Sequence, residues 1–257
     1  PLVSLAASAN GQRLVAATND NRILGWPLKA DAAAAAVASD LAITTPTPII
    51  DVAINADGTV IATGGNDNVT SLWSSATSSL RERLPGHTST LRTIAMSSDA
   101  RRVISGANDR SVIRFTPAVV AAFQAHKMPV RAAVFSPDGQ HLITAGDDKR
   151  VARWMVPGGQ PVNEYTGANG SIRALAISDN GGLLAAGGDD KVLRTWSVAE
   201  GQPTAQATLA APITGIALDA TGTTVAVTSD LVVRQFDIAT VAGKKTLVAH
   251  QDGHGHT

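Results

Sequence analysis

The chain has 257 residues and no cysteine. Disulfides, thiolate metal sites, thioether-linked haem and cysteine nucleophiles are therefore excluded within it. Charge is scarce as well. Asp, Glu, Lys and Arg make up 16% of the residues, with 21 of each sign, where about a quarter is usual for a soluble domain. A sparse and balanced charge gives no bulk attraction to nucleic acid or to an anionic membrane. No apolar run approaches the roughly 20 residues that span a bilayer as a helix, so no membrane insertion is expected. The opening PLVSLAASANG has neither an initiator methionine nor a basic segment before its apolar stretch, which reads as a piece of a longer product rather than as a secretory leader.

What the chain does have is repetition. An aspartate followed six residues later by Trp or Phe occurs as Asp20/Trp26, Asp67/Trp73, Asp109/Phe115, Asp148/Trp154, Asp190/Trp196 and Asp230/Phe236, with the aspartates 47, 42, 39, 42 and 40 residues apart. Eight or nine residues before each aspartate stands a turn sequence: SANG, NADG, SSDA, SPDG, SDNG and DATG, ending at Gly11, Gly58, Ala100, Gly139, Gly181 and Gly222. Five of these place glycine where positive φ is wanted. Each unit reads as an apolar strand, this turn, a second strand such as HLITAG, the aspartate turn, a third strand ending near the aromatic and a weaker fourth strand. Four strands in a period of about 40 residues is the arithmetic of a β-propeller blade. The fold class is all-β, a single propeller domain of four-stranded antiparallel blades. Its six visible repeats run approximately over 1–46, 47–87, 88–126, 127–168, 169–209 and 210–250, residues 251–257 read as a candidate start of a further one, and the intact ring is expected to have six or seven blades, with seven favoured.

The chain resembles the WD-repeat family over essentially its whole length. The family places a histidine before the first strand and a Ser/Thr in the second, hydrogen-bonded to the turn aspartate and the tryptophan. By position the resemblance implies the set His126, Thr144, Asp148 and Trp154 in the fourth unit, His87, Ser105 and Asp109 in the third, and Thr63, Asp67 and Trp73 in the second. The second unit has Thr45 at the histidine position, and Ala16, Ala186 and Ala226 replace Ser/Thr in the first, fifth and sixth units. Such sets have a physical reason: a buried carboxylate needs donors, and a buried indole N–H needs an acceptor. Uneven completion implies uneven stability.

A catalytic reading of His126, Thr144 and Asp148 as a triad fails because related partial sets recur, whereas a triad is assembled once around an exposed nucleophile. G-x-S-x-G, H-E-x-x-H and a phosphate loop are absent; GNDN, GAND and AGDD are recurring turns. No cofactor is expected. The resemblance implies a protein-binding scaffold, with a ligand-binding or catalytic propeller using its channel as the rival. It also implies a partner face lined by Val3, Ile50, Arg92, Arg131, Arg173 and Thr214, beside Asn19, Asn66, Asn108, Asp147, Asp189 and Ser229. Arg131/Asp147 and Arg173/Asp189 read equally as salt bridges or as a ligand site. Arg92 lacks an acidic neighbour in its own unit and is the favoured contact for an acidic group.

Two stretches depart from the period. LKADAAAAAVASD, residues 28–40, reads as an insertion between third and fourth strands in which Asp31 can cap a short alanine helix. The tail AHQDGHGHT carries His250, His254 and His256. These could converge on a metal, but Ala249–His250 follows Asp230 by the 20 residues that separate His87 from Asp67, which favours the opening loop of another repeat. High alanine content and close repeats point to a bacterial protein, and low charge without cysteine to the cell envelope or periplasm.

Overall fold

The computed structural model describes residues 1–28, 38–116, 119–156, 158–230, 232–238 and 243–248. Asp31 and the three tail histidines lie outside these residues. Every element described is a strand, and the strands form six four-stranded antiparallel sheets, the blades of a β-propeller fold.

The first sheet comprises β1 (Leu2–Ala7), β2 (Arg13–Thr18), β3 (Arg22–Pro27) and β4 (Leu41–Thr44), so the insertion does fall between a third and a fourth strand. The second holds β5 (Ile49–Ile54), β6 (Val60–Gly65), β7 (Thr70–Ser74) and β8 (Leu80–Leu84). The third holds β9 (Leu91–Met96), β10 (Val103–Ala107), β11 (Ser111–Thr116) and β12 (Val119–Gln124). The fourth holds β13 (Val130–Phe135), β14 (His141–Gly146), β15 (Val151–Met155) and β16 (Pro161–Tyr165). The fifth holds β17 (Ile172–Ile177), β18 (Leu183–Gly188), β19 (Val192–Ser197) and β20 (Pro203–Thr208). The sixth holds β21 (Gly215–Leu218), β22 (Thr224–Ser229), β23 (Val232–Asp237) and β24 (Gly243–Val248). The chain divides into two compact units, one built on Pro1–Phe135 and the other beginning at Ser136.

Within each sheet the strands follow chain order because short turns join them. The first turn is a Ser-x-Asp/Asn device: the Asn10, Asp99, Asp138 and Asn180 side chains accept the backbone N–H two residues on and the hydroxyl two residues back. All six residues closing this turn take positive φ, Ala100 at 56° among five glycines. The second turn places Asp67, Asp109, Asp148 and Asp190 to accept the N–H two residues on, and the residue between bends to positive φ, from 61° at Asn68 to 70° at Arg110.

Second strands are buried along nearly their full length, as in β6 and β10, because both faces of a blade are covered. They therefore read as unbroken apolar or small runs rather than as alternation. Fourth strands are largely exposed, and β8 carries Arg81, Glu82 and Arg83, charges that blunt an open sheet edge. Core clusters lie between neighbouring sheets: first with second, second with third, and fifth with sixth. Glycine permits this close approach. A Cβ on Gly64 would lie 2.6 Å from Leu91 Cδ2, and one on Gly187 2.6 Å from Ile213 Cδ1.

Candidate functional site

The third blade holds the fullest hydrogen-bond set. The His87 ring, on the loop after β8, places Nδ1 2.9 Å from Asp109 Oδ2 and Nε2 2.9 Å from Ser105 Oγ on β10. The same carboxylate receives the Thr88 N–H at 2.9 Å, and its other oxygen receives the Ser111 N–H at 3.0 Å and hydroxyl at 2.6 Å. Burial pushes the Asp109 carboxyl up, but the Ser111, Thr88 and His87 hydrogen bonds outweigh it and hold the group below its ordinary value. Phe115, at the tryptophan position, is buried and needs no acceptor.

Other blades reach the same end with different groups. The Trp73 and Trp154 indoles each donate to a hydroxyl, Thr63 and Thr144 Oγ1, at 2.8 Å. Thr45 does not substitute for a histidine: its hydroxyl donates to the Asn21 and Thr47 carbonyls, and Asp67 is met by Arg83 from β8 at 2.8 Å. Asp148 accepts the Arg150 N–H, and His126 is buried. In the fifth blade, where Ala186 offers no hydroxyl, the Trp196 indole donates to the Thr166 carbonyl at 3.3 Å. Asp190 there pairs with Arg194 at 2.7 Å, both side chains 9% exposed. Burial raises the Asp190 carboxyl, and the Asn169 and Val192 amides with Arg194 more than reverse this. In the sixth blade Phe236 pairs with Val225, which places Val227, not Ala226, at the hydroxyl position. The aspartate turn there is one residue shorter, and Asp230 itself takes positive φ, 52°. The eight-residue spacing from Gly222 to Asp230, against nine elsewhere, was the available sign.

The arginine positions have a cause that the sequence did not reveal. First strands carry a recurring β-bulge: Leu2 and Ser4 pair with Thr18 and Ala17, Ile49 and Asp51 with Gly65 and Gly64, Leu91 and Thr93 with Ala107 and Gly106, Ile172 and Ala174 with Gly188 and Gly187. The extra residues are Val3, Ile50, Arg92 and Arg173. A bulge re-aims its extra side chain out of the ladder, which sets Arg92 and Arg173 apart from the buried positions on either side. In the first unit Arg92 Nε donates to Asn108 Oδ1 at 2.8 Å, so Arg92 has a neutral partner in its own blade. In the second unit Arg173 forms a two-point ion pair with Asp189, with Nη2 3.1 Å from Oδ2, and Asp147 adds a weaker attraction that raises the arginine further. Arg131 belongs to the first unit and Asp147 to the second, both half-buried.

Asp51 was missed by the sequence reading. It follows the bulge on β5 and accepts the Ser4 hydroxyl from β1 at 2.6 Å, the Val52 N–H at 2.9 Å and the Ile94 N–H from β9 at 2.8 Å. Burial raises its carboxyl, against these donors and Thr93. One carboxylate thus ties three first strands together. Its signal was an acid inside the otherwise apolar IIDVAI.

No cluster of three or more His, Cys, Asp or Glu that could hold a metal occurs among the described residues. The sequence profile of the WD domain, G-beta repeat, matches residues 42–74, 78–114, 118–154 and 159–197, together more than half of the chain. Each match starts around the outer strand of one blade and ends in the third strand of the next. The chain is 31% identical over 157 residues to the DENN domain and WD repeat-containing protein SCD1 of Arabidopsis thaliana, covering 59% of this chain and 12% of that protein. It is 24% identical over 173 residues to the WD repeat-containing protein 91 homolog of Dictyostelium discoideum, covering 64% of this chain and 22% of that protein. Both relatives are eukaryotic and much longer, and neither supports the expectation of a bacterial origin.

Proposed function

Since the chain belongs to the WD40 repeat family, we propose that it is a non-catalytic scaffold that binds a protein partner through the residues carried by the first-strand bulges. The observation that carries this reading is where the chemistry-bearing groups are spent. His87, Ser105 and Asp109 hydrogen-bond to one another inside a blade, and Asp190 is engaged by Arg194 and by backbone amides. A nucleophile or general base needs an open approach to substrate, and these groups face protein.

The bulge residues are different: Arg173 is half-exposed and its pair with Asp189 is a surface ion pair, worth about 1 kcal/mol or less, so a partner's carboxylate can compete for the guanidinium. Arg92, which donates to Asn108, and Arg131 add basic groups for contact with an acidic segment. Partner capture from cell extract, scored by the same bands with wild type, Arg92→Glu and Arg131→Glu, tests this. Loss of the bands with an unchanged circular dichroism spectrum is expected. Full recovery with both variants removes Arg92 and Arg131 as the site.

A further inference from the structure

The second blade lacks donors that the third and fifth blades supply to the same turn aspartate. In the third, Asp109 Oδ2 receives the His87 ring and the Thr88 N–H, from 22 and 21 residues earlier in the chain. In the fifth, Asp190 Oδ2 receives the Asn169 N–H, again 21 residues earlier, and the Arg194 guanidinium from the third strand. The corresponding residues of the second blade are Thr45, Pro46 and Ser71. None of them serves Asp67. The Thr45 hydroxyl is turned to two carbonyls, proline has no N–H, and the Ser71 hydroxyl makes no hydrogen bond among the described residues. Asp67 keeps the Val69 N–H at 3.3 Å and Arg83 at 2.8 Å, and that arginine is 46% exposed.

Beside this carboxylate lies a cavity of about 120 Å³, lined by Pro46, Pro48, Thr63, Asp67, Ser71 and Trp73 within the first compact unit. Exposed Leu80 and Arg83 also line it, so it opens to solvent. Its polar groups match those around the His87 ring. Asp67 and Thr63 stand where Asp109 and Ser105 hold the two ring nitrogens of His87 at 2.9 Å each. Thr63 Oγ1 accepts the Trp73 indole N–H at 2.8 Å and donates to no described group, which leaves its proton for a ring nitrogen. A cavity of about 150 Å³ accepts a six-membered ring, so a five-membered one suits this volume. Pro46 and Pro48 fix two φ angles of the loop before β5, which keeps that loop from closing over the space.

We propose that this cavity binds an imidazole group that the blade itself does not supply, its N–H donated to Asp67 and its second nitrogen accepting the Thr63 hydroxyl. The group is the side chain of a partner's histidine or a free azole.

Imidazole itself is the probe. The four tryptophans give four indole signals in a proton–nitrogen correlation spectrum, and Trp73→Phe identifies the one beside the cavity. At about pH 8, where the ring is neutral, imidazole is expected to move the Trp73 signal saturably and leave those of Trp154 and Trp196 in place. Half-saturation is expected at about 1 mM, an affinity open to a ligand of so few atoms. N-methylimidazole, which lacks the N–H, and pyrrole, which lacks the acceptor nitrogen, should bind about tenfold more weakly, the loss of one hydrogen bond. Thr63→Val should cost imidazole a similar factor, and Asp67→Ala repeats that readout should Thr63→Val fail to fold. N-acetylhistidine methylamide separates the two sources: a Trp73 shift like that of imidazole assigns the site to a partner's histidine, and none assigns it to a free azole. Absence of a saturable Trp73 shift up to about 100 mM imidazole, equal binding of all three rings, or binding indifferent to both variants overturns the proposal.

Discussion

The third and fifth blades solve one problem in two ways. Both bury an aspartate at the turn between second and third strands. The third satisfies Asp109 with an imidazole, a serine hydroxyl and two backbone amides drawn from two loops, while the fifth satisfies Asp190 with two backbone amides and a guanidinium four residues on in the same hairpin. The position needs donors, not a particular residue. The cost of losing the donor differs, however. An imidazole leaves behind a carboxylate that still has three neutral donors; an arginine leaves a carboxylate with two amide donors and no countercharge.

The sharpest way to break the comparison is to remove both partners. Arg194→Met is expected to cost about 3 to 5 kcal/mol, the loss typical of stripping one partner from a buried ion pair, and His87→Ala about 1 to 3 kcal/mol, that of one lost hydrogen bond at a buried group. Urea midpoints at neutral pH check the ranking; equal losses would mean that the amides dominate in both blades. The acid limb checks the cause. Both carboxyls are held below the ordinary 3.8, so each contributes stability above that value that is lost as pH falls through its folded value. In Arg194→Met this acid loss should shrink for the fifth blade and persist for the third.

A second contrast lies in the third strands, where the residue three after the turn aspartate is Ile23, Val112, Val151, Leu193 or Val233 in five blades and Thr70 in the second. Thr70 is fully buried and its hydroxyl has no partner. Thr70→Val, which keeps the shape and removes the orphan, is expected to stabilise the protein by about 1 to 2 kcal/mol. A lower thermal midpoint would show that the hydroxyl is satisfied in solution.

The smallest effect separates the third blade's first turn from the other five. Ala100 holds φ 56° where the rest have glycine, and a Cβ in the left-handed region costs roughly 1 to 2 kcal/mol. Ala100→Gly should recover about 1 kcal/mol of this after the extra freedom glycine gives the unfolded chain. No gain in denaturation midpoint would contradict it.

Much of this was legible beforehand because the repeat is written in local chemistry. An aspartate two residues before a strand fixes an Asx turn, a glycine fixes positive φ, and an aromatic six residues on closes the blade. These depend on neighbours in sequence, so six four-stranded blades followed from the sequence alone. Trp73 with Thr63 and Trp154 with Thr144 were likewise visible, since both partners sit across one hairpin.

What the tertiary structure decided depends on approach between segments far apart in the chain. The bulge that turns out Arg92 and Arg173 arises from pairing register, which no single strand specifies. Asp51 gathers donors from β1 and β9, 47 and 43 residues away, and Trp196 finds a carbonyl 30 residues back because Ala186 offers nothing nearer. The sequence determined which residues would be apolar. Only packing decided how deeply each is covered: Ile49 and Leu91 are buried because a neighbouring sheet lies against them, and burial is a property of that sheet rather than of the strand itself.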